Sequence, residues 1–268
     1  MNEKLQILQY ECAKKILDLS YKAKSGHIGS SLSCVSLLVD LFFHRKSQED
    51  AFILSKGHAA LALYCILNLK GEISNTELDS FYTDDTLLPA HTPILSSIKD
   101  ISFGTGSLGH GLSLAVGVAL GKKLKGEVGK VYCLLSDGEC QEGSTWEALM
   151  FSVAKKLDNL VVLIDQNGLQ AFSRTSEVIG PITLHQRLCA FGVDSVECHQ
   201  GNDFSGIDQA YKMFKSDFDG PKALVAKTIK GHGVSFMEDQ LKWHYLSLSK
   251  EQYTQALDDI LKLKGQLQ

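Results

Sequence analysis

The sequence has little of what marks linkers, membrane proteins or nucleic-acid-binding proteins. Only four of its 268 residues are proline, and they are spread out, so no proline-rich linker divides the chain. The longest apolar runs, such as residues 160–164, are far too short to span a bilayer. Residues 1–19 mix charged and apolar positions like an amphipathic helix and lack the apolar stretch of a signal peptide. With a net charge of −4 and no stripe of lysine and arginine, neither a membrane nor a nucleic-acid partner is expected.

Patterns of a disulfide framework or a zinc site are also missing. The seven cysteines are odd in number, scattered, and nowhere form a Cys-x-x-Cys pair. This arrangement is typical of reduced thiols and predicts a cytoplasmic protein. Cys140 is predicted to be a small buried residue, because no histidine that could act as its base is near in sequence.

The chain does contain strand and helix patterns that alternate along its length. Continuous aliphatic and β-branched runs predict strands covered on both faces at residues 131–135, 160–165 and 223–228. Weaker strand candidates are residues 51–54 and 193–198. Helix patterns cover residues 32–43, 59–69, 108–124, 144–156, 204–214 and 250–263. This order predicts an α/β fold with a mostly parallel sheet and helices on both faces, and residues 1–268 are expected to form a single domain.

The helix pattern at residues 108–124 is unusually rich in small residues. Every second residue from Gly109 to Gly121 is glycine, alanine or serine. Because glycine costs about 1 kcal/mol relative to alanine inside a helix, these positions need a compensating contact. The helix is therefore expected to pack closely against the sheet or against a second subunit.

Polar residues follow two of the predicted strands. Asp137 and Gly138 come after one strand, and Asn167 and Gly168 come after the next, thirty residues later (167 − 137). That interval fits a strand-helix-strand crossover, so both side chains should reach the same sheet edge. Taken singly, Asp137 could cap a helix and Asn167 could turn the chain. Together, with the carbonyl of Leu169, they favour a site for Mg²⁺ or Ca²⁺ that holds a diphosphate.

Several of the nine histidines lie beside glycine in predicted loops. Those that directly follow glycine are His27, His58, His110 and His232, and His91 lies in a loop between two prolines. Histidines in such loops can point into a cleft and change protonation near neutral pH, although each could also be simply solvated. The set suits the hydroxyl, carbonyl and phosphate groups of a small polar substrate. Packing or surface positions are expected for His44, His185 and His199.

A glycine-rich loop precedes the small-residue helix. It runs from Gly104 to Gly111, and exposed N–H groups at a helix start favour an anion or a polar ring edge. Gly104, Gly106 and Gly109 have the Gly-x-Gly-x-x-Gly spacing, but no predicted strand ends just before the loop, as a dinucleotide-binding fingerprint requires. A nicotinamide cofactor is therefore disfavoured.

Five motifs in this order resemble those of one known family. They are Ser25-Gly-His-Ile-Gly29, Ser55-Lys-Gly-His-Ala59, Gly104-Thr-Gly-Ser-Leu-Gly-His-Gly111, Ser136-Asp-Gly-Glu-Cys-Gln-Glu-Gly143 and Asp165-Gln-Asn167. From about Cys12 to His244 the chain resembles the amino-terminal half of a transketolase. The resemblance implies a thiamine-diphosphate-binding fold, with thiamine diphosphate and Mg²⁺ or Ca²⁺ as cofactors. It also implies transfer of a two-carbon ketol unit from a ketose phosphate to an aldose phosphate, the chemistry of pentose phosphate metabolism.

The resemblance assigns roles to individual cofactor positions. Asp137, Asn167 and the carbonyl of Leu169 resemble the metal ligands. The positions that resemble the diphosphate contacts are Gly138, His58 and His244. Backbone contacts to the aminopyrimidine edge are implied for Gly106 and Leu108.

Further positions resemble the catalytic and subunit-contact residues of the family. Catalytic histidines that meet the substrate's oxygens and help to move its protons are implied at His27, His58, His91 and His244. Glu142 resembles an acidic residue near the cofactor, in the subunit contact that joins paired active sites. His232 lies in a Lys-Gly-His-Gly stretch that resembles a lid. The resemblance implies a catalytic role for His232 less strongly than for the other four histidines.

Two positions depart from the family pattern, where glycine is usual. Ser136 precedes the metal-ligand aspartate, and serine is small enough to fit. Tyr245 follows the late histidine, where its ring would narrow the entry or replace a substrate contact.

Full-length transketolases continue into a second α/β domain that grips the pyrimidine ring. This chain ends at Gln268, so a split enzyme is expected, with an α₂β₂ assembly and a separate carboxy-terminal subunit. Residues that select the sugar phosphates are expected mainly on that subunit. The alternatives are another thiamine-diphosphate enzyme, such as a 2-oxo-acid dehydrogenase α chain or a deoxyxylulose-phosphate-synthase-like enzyme, and a non-catalytic cofactor-binding scaffold.

Overall fold

A five-stranded parallel sheet forms the centre of the molecule. The computed structural model describes residues 2–180 and 182–265. The strands are β1 Ala51–Leu54, β2 Val131–Ser136, β3 Leu160–Gln166, β4 Asp194–Cys198 and β5 Lys222–Lys227. They lie in the order β1-β2-β3-β5-β4, and every neighbouring pair is parallel. The predicted parallel sheet is confirmed, including both weaker strands, and β5 begins and ends one residue earlier than predicted.

Helices surround this sheet. They are α1 Asn2–Ala23, α2 Ile28–Ser33, α3 Val35–Asp40, α4 Ala60–Leu69, α5 Asn75–Asp79, α6 Gly111–Lys125, α7 Gly143–Ala154, α8 Thr175–Ile179, α9 Leu184–Ala190, α10 Phe204–Lys212 and α11 Lys250–Gly265. Short 3₁₀ turns occur at Gly57–Ala59, Lys99–Ile101, Glu139–Gln141 and Leu241–His244, and a π-helical turn at Leu41–Arg45. No helix of the described segments is both long and apolar enough to cross a membrane.

Both faces of the sheet are covered by helices, as predicted. Phe52 and Leu134 belong to a core that includes α1, α3, α4, α10 and α11. Ile53 and Leu135, their neighbours along the strands, belong to a second core with α6, α7 and α9. Because successive strand residues point to opposite faces, a buried strand contributes side chains to both cores. The ligand-accessible part of the sheet is therefore its carboxyl edge.

The small-residue helix packs closely at its start against the turn that follows β1, as predicted. It begins at Gly111, three residues later than predicted, and a Cβ there would lie 2.5 Å from the Cα of Ser55. Only glycine allows this approach to the turn that follows β1. Farther along, α6 packs on the sheet through Leu112 and Ala115. A Cβ at Gly117 or Gly121 would meet nothing within 4 Å.

Other differences from the predicted helices are local. The helix predicted at residues 32–43 is two helices, α2 and α3, that start earlier and end in the π-helical turn. Helices α5, α8 and α9 were not predicted, since five to seven residues are too few to show a helical period. Capping boxes at Ser74 and Thr183 begin α5 and α9.

Candidate functional site

A cleft of about 370 Å³ opens at the carboxyl ends of β2 and β3. Ten of the eleven site residues expected from the sequence line it, namely His27, His58, His91, Gly106, Leu108, Gly138, Glu142, Asn167, Leu169 and His244. The eleventh, Asp137, lines an adjoining pocket of about 160 Å³ under α8 and α9. The structure thus brings together residues that are more than two hundred positions apart in sequence.

Asp137 is buried at the end of β2, with only 3% of its surface exposed. Its Oδ1 accepts a hydrogen bond from the Gly138 N–H at 3.0 Å, and its Oδ2 accepts one from the Gly168 N–H at 2.8 Å. The Thr175 hydroxyl donates to the same Oδ2 at 3.2 Å. Burial, together with the nearby Asp165 carboxylate, raises the pKa of Asp137 to about 6. A cation next to this carboxylate would offset that unfavourable burial.

Asn167 and Leu169 form a tight turn beyond β3. The Asn167 Oδ1 accepts a hydrogen bond from the Leu169 N–H at 3.1 Å. The Asn167 Nδ2 donates to Asp165 Oδ2 at 3.3 Å and to Ser33 Oγ at 3.4 Å. The amide side chain is therefore held on both sides, and Gly168 supplies the left-handed backbone (φ 76°) that the turn needs.

A fully buried ion pair lies directly beneath this turn. Lys56 Nζ donates to Asp165 Oδ2 and, at 3.1 Å, to the carbonyl of Ser30. Ser33 and Thr228 donate their hydroxyls to the same carboxylate. Burial alone would raise the pKa of Asp165, but Lys56 and these hydroxyls hold that pKa below its ordinary value. The motifs contained both residues, yet no role for Lys56 was predicted.

Four histidine rings meet at the mouth of the cleft. The His27 ring centroid is 5.6 Å from that of His58, 5.8 Å from that of His91 and 4.9 Å from that of His244. His27 adopts a left-handed backbone (φ 62°), and its N–H donates to the His244 carbonyl at 3.1 Å. Its Nδ1 is buried and has no hydrogen-bond partner among residues 2–180 and 182–265. The segment before α2, the 3₁₀ turns at Gly57–Ala59 and Leu241–His244, and the loop that carries His91 thus converge on one point.

Three of these rings, those of His27, His58 and His244, are held in the neutral form. Burial, reinforced by His91 and Lys230, lowers the pKa of His27 to about 4. Burial and then Lys230 lower the pKa of His244 to about 3. For His58, burial and then Lys56 hold the pKa well below its ordinary value. Near neutral pH each of these rings can accept one proton and donate another.

Lys230 is a second site residue to which the sequence assigned no role. Its side chain is buried, and Nζ lies 3.0 Å from His244 Nδ1 and 3.5 Å from the carbonyl oxygens of Leu169 and Gln170. Burial, and then repulsion by Lys56, lowers the pKa of Lys230 to about 8. Within the Lys-Gly-His-Gly stretch, the sequence suggested a role only for the histidine, His232. The His232 ring pairs with Glu238, with Nδ1 3.4 Å from Oε1.

The glycine-rich loop that carries Gly106 and Leu108 is anchored by Glu139. This fully buried carboxylate accepts hydrogen bonds from the Ser55 hydroxyl, the Gly109 N–H at 2.8 Å and the Ser136 N–H at 3.3 Å. The Ser136 Oγ in turn accepts from the Glu139 N–H at 3.2 Å, so serine is accommodated here. Three segments at the sheet edge are thus joined through one side chain.

The proposed metal donors are all oxygens. Among the described residues, no group of three or more His, Cys, Asp and Glu side chains is arranged to hold a metal. The expected set contains only one such side chain, Asp137, and is completed by the Asn167 amide and the Leu169 carbonyl. The Leu169 carbonyl already faces a cationic group, the ammonium of Lys230. A hard divalent cation such as Mg²⁺ or Ca²⁺ fits these donors.

Comparison with known proteins places this fold and cleft in one family. Residues 12–261 match the family described as "Transketolase, thiamine diphosphate binding domain". The chain is 37% identical over 267 residues to an apulose-4-phosphate transketolase subunit from Phocaeicola vulgatus, covering 96% of this chain and 94% of that protein. It is 34% identical over 277 residues to the 6-deoxy-6-sulfo-D-fructose transketolase subunit SqwG of a Clostridium species, covering 98% and 99%.

Single-chain transketolases are similar over only part of their length. Human transketolase is 36% identical over 249 residues, which are 89% of this chain and 39% of the human protein. The structure of transketolase from Campylobacter jejuni superimposes with a TM-score of 0.88 at 27% identity, covering all of this chain and 46% of that one. The chain therefore spans nearly the full length of its subunit relatives and less than half of the single-chain ones.

Proposed function

Because the chain belongs to the transketolase family through its thiamine diphosphate binding domain, we propose that it is the amino-terminal subunit of a two-subunit transketolase. It transfers a two-carbon ketol unit from a ketose phosphate to an aldose phosphate. Residues 1–268 act as one diphosphate-binding domain. The observation that most supports this function is the family match over residues 12–261, which include the whole histidine-lined cleft.

Asp137, Asn167 and the Leu169 carbonyl would hold Mg²⁺ or Ca²⁺, and Gly138, His58 and His244 would contact the diphosphate. We add Lys230 to this group, because a buried ammonium beside His244 suits an anion. Gly106 and Leu108 would meet the aminopyrimidine edge through their backbones. When bound, thiamine diphosphate supplies the electron sink that lets the ketol unit be cleaved and transferred.

His27 and His91, with His58 and His244, would bind the substrate's hydroxyl and carbonyl oxygens. A neutral His27 ring with an unpaired Nδ1 can accept a hydroxyl proton, and the edge-to-face contacts with its neighbours fix its orientation. The partial burial of His27, His58 and His244 strengthens the hydrogen bonds that these three rings would make. The chemistry assigned to this chain is therefore binding, orientation and proton transfer.

We also propose that a second subunit supplies the pyrimidine-binding domain and most of the contacts to the phosphate group of the sugar. The two kinds of subunit form an α₂β₂ assembly, and Glu142 lies at the subunit contact. Large apolar side chains are exposed beside the cleft and the adjoining pocket, namely Phe172, Ile179 and Ile182. Exposed apolar surface of this kind marks interaction sites. The seven free cysteines support a reducing, cytoplasmic setting.

Calorimetric titration of thiamine diphosphate and Mg²⁺ into the assembled enzyme tests the metal assignment. Asp137→Ala should abolish metal-dependent binding, because a buried diphosphate would lose its counter-charge. Asp84→Ala, at an exposed position in the loop after α5, serves as the matched control. Unchanged cofactor affinity in Asp137→Ala would remove Asp137 from the metal site.

Turnover of a ketose phosphate, compared with turnover of pyruvate, separates transketolase from the other thiamine-diphosphate reactions.

A further inference from the structure

A second cavity of about 210 Å³ lies on the other side of the histidine cluster. His27, His58, His91 and His244 line both this cavity and the larger cleft. The remaining walls of the second cavity include Ser25, Ser31, Phe81, Tyr82 and Tyr245. A substrate that reaches the histidines from the cofactor side thus has space beyond them, bordered by aromatic rings.

Two of these aromatic residues are exposed although they are large. Tyr82 is 52% exposed and Tyr245 is 65% exposed. Within the described segments neither phenol hydroxyl has a hydrogen-bond partner. The Tyr245 ring stands 4.8 Å from the His244 ring at 62°, and the Tyr82 ring lies 5.8 Å from that of buried Phe81 at 30°. Each tyrosine therefore offers one free ring face and one free hydroxyl at the cavity.

The backbone at Tyr82 is held in a conformation that bulky side chains rarely adopt. Its φ is 61°, in the left-handed region, and its N–H donates to the Leu88 carbonyl at 3.1 Å. His27 has nearly the same φ and lines the same cavity. Backbone strain concentrates where a side chain must be aimed at a ligand. The strain at Tyr82 thus agrees with a binding role for its ring.

The backbone of Tyr245 is held close to the backbone of the Gly26–His27 segment. A Cβ at Gly26 would lie 3.0 Å from the Tyr245 carbonyl oxygen, and the His27 N–H donates to the adjacent His244 carbonyl. A movement of the Tyr245 backbone would therefore disturb His27. The Tyr245 ring forms part of the cavity wall, where the resemblance noted from the sequence implies a glycine.

We propose that Tyr82 and Tyr245 determine substrate specificity by holding the carbon chain of the sugar phosphate beyond the transferred two-carbon unit. The inference rests on the proposed transketolase function. Aromatic rings pack against the apolar C–H faces of sugars, while hydroxyl groups on the other side of the chain reach the histidines. A donor with no carbon chain beyond its ketol unit makes no such contact.

The test uses the assembled enzyme and three ketol donors: xylulose 5-phosphate, fructose 6-phosphate and hydroxypyruvate, which lacks the longer chain. Tyr245→Gly restores the family residue, and Tyr82→Gly removes the ring while tolerating the positive φ. Each variant should lower kcat/KM for the two sugar phosphates about tenfold more than for hydroxypyruvate, mainly through KM. Tyr245→Phe and Tyr82→Phe should recover most of this selectivity.

Equal loss for all three donors, or no loss for any of them, would overturn the specificity assignment. Dissociation of the partner subunit from the glycine variants on size-exclusion chromatography would also overturn it, because the tyrosines would then be subunit contacts. Thermal denaturation establishes that each variant is folded. If the unmodified assembly transferred no ketol unit from any donor, the proposed function itself would fall, and the inference with it.

Discussion

His27 combines three unusual properties in one residue. Its backbone is left-handed, its ring contacts three other histidine rings, and its buried Nδ1 has no partner within the described chain. An unsatisfied buried polar atom is unfavourable for folding, so a ligand that pairs with it gains a hydrogen bond that the protein cannot make alone. This residue is therefore the best single probe of substrate binding as distinct from cofactor binding.

We expect His27→Asn to reduce turnover and to leave cofactor affinity unchanged. Asparagine tolerates the left-handed backbone, so the substitution removes the imidazole without adding strain. Loss of a residue that transfers protons typically reduces kcat by about 10²–10⁴-fold. Steady-state kinetics and calorimetric titration of thiamine diphosphate with Mg²⁺ give the two quantities. An equal loss of both would mean that His27 contacts the cofactor instead.

The same residue should make stability depend on pH. His27 faces His58, His91, His244 and Lys230, and its pKa is lowered to about 4 by burial and then by His91 and Lys230. Between about pH 6.5 and 4 the unfolded state binds more protons at this position than the folded state. The free energy of unfolding should therefore fall as pH decreases through this window.

For His27 alone this loss should be on the order of 1–2 kcal/mol, after discounting for its partial exposure. Urea denaturation between pH 7.5 and 4.5 measures it. In His27→Asn the decline should be shallower by that amount, whereas parallel curves for the two proteins would contradict the assignment.

At the residue scale, the sequence predicted the polar residues that follow strands and missed the buried cations. Asp137 and Asn167 were predictable because each lies two or three residues beyond an apolar run, and parallel strands end at one edge. Lys56 and Lys230 were not predictable, because a lysine beside glycine usually marks a solvated turn. Their burial depends on partners far away in sequence, such as Asp165, which lies 109 residues beyond Lys56.

At the scale of elements, the glycine-rich loop depends on one carboxylate outside it. Glu139 holds the Gly109 N–H, the Ser55 hydroxyl and the Ser136 N–H, so it connects the loop with the ends of β1 and β2. A Cβ at Gly57 would lie 2.5 Å from the Thr105 carbonyl oxygen, so the loop also packs directly against the turn after β1. These contacts, and not the composition of the loop, hold it against the ends of β1 and β2.

We therefore expect Glu139→Ala to loosen the loop and to lower the free energy of unfolding by roughly 2–4 kcal/mol, because buried donors lose their acceptor. Hydrogen exchange should rise at residues 104–110 before it rises in the strands. Glu147→Ala, at an exposed position on α7, is the matched control and should change stability by less than about 0.5 kcal/mol. Equal stability losses in the two variants would show that Glu139 does not anchor the loop.

Strands with continuous apolar runs were predictable from the sequence, and helices of five to seven residues were not. The three strong strands appear within one or two residues of their predicted bounds. Within the small-residue helix, however, the sequence could not show which glycines meet another backbone. Gly111 does so and Gly117 does not, because the approach of Ser55 depends on where β1 ends. Close packing is a tertiary property that composition only permits.

At the scale of the whole molecule, strand order creates the site. Because β1, β2 and β3 are neighbours, their carboxyl ends bring Lys56, Asp137 and Asn167 to one edge. On one face of the sheet α1 packs against α11, with the Tyr21 and Tyr253 rings stacked 4.4 Å apart. The Tyr253 hydroxyl also donates to Asp18 at 2.8 Å. The cleft itself stays open, with exposed apolar residues at its border.

We expect the purified chain to show no ketol transfer at an ordinary enzymatic rate until its partner subunit is added. The cleft holds groups suited to the metal, the diphosphate and the sugar oxygens, but the pyrimidine-binding domain of the family is expected on another chain. Phe172 lines this cleft and is 73% exposed, as expected for a side chain that a partner covers. Phe172→Asp should therefore weaken assembly at least tenfold, because it would bury an unpaired charge at the interface.

Sedimentation velocity of the mixed subunits measures this assembly, and Met213→Asp provides the matched control. Met213 is also an exposed apolar residue, but it lies at the C-terminal end of α10 and does not line the cleft. The Met213→Asp substitution should leave assembly unchanged, because a charge on a solvent-exposed surface keeps its hydration. Vigorous transfer by the isolated chain, or equal weakening in both variants, would contradict a partner seated on the cleft.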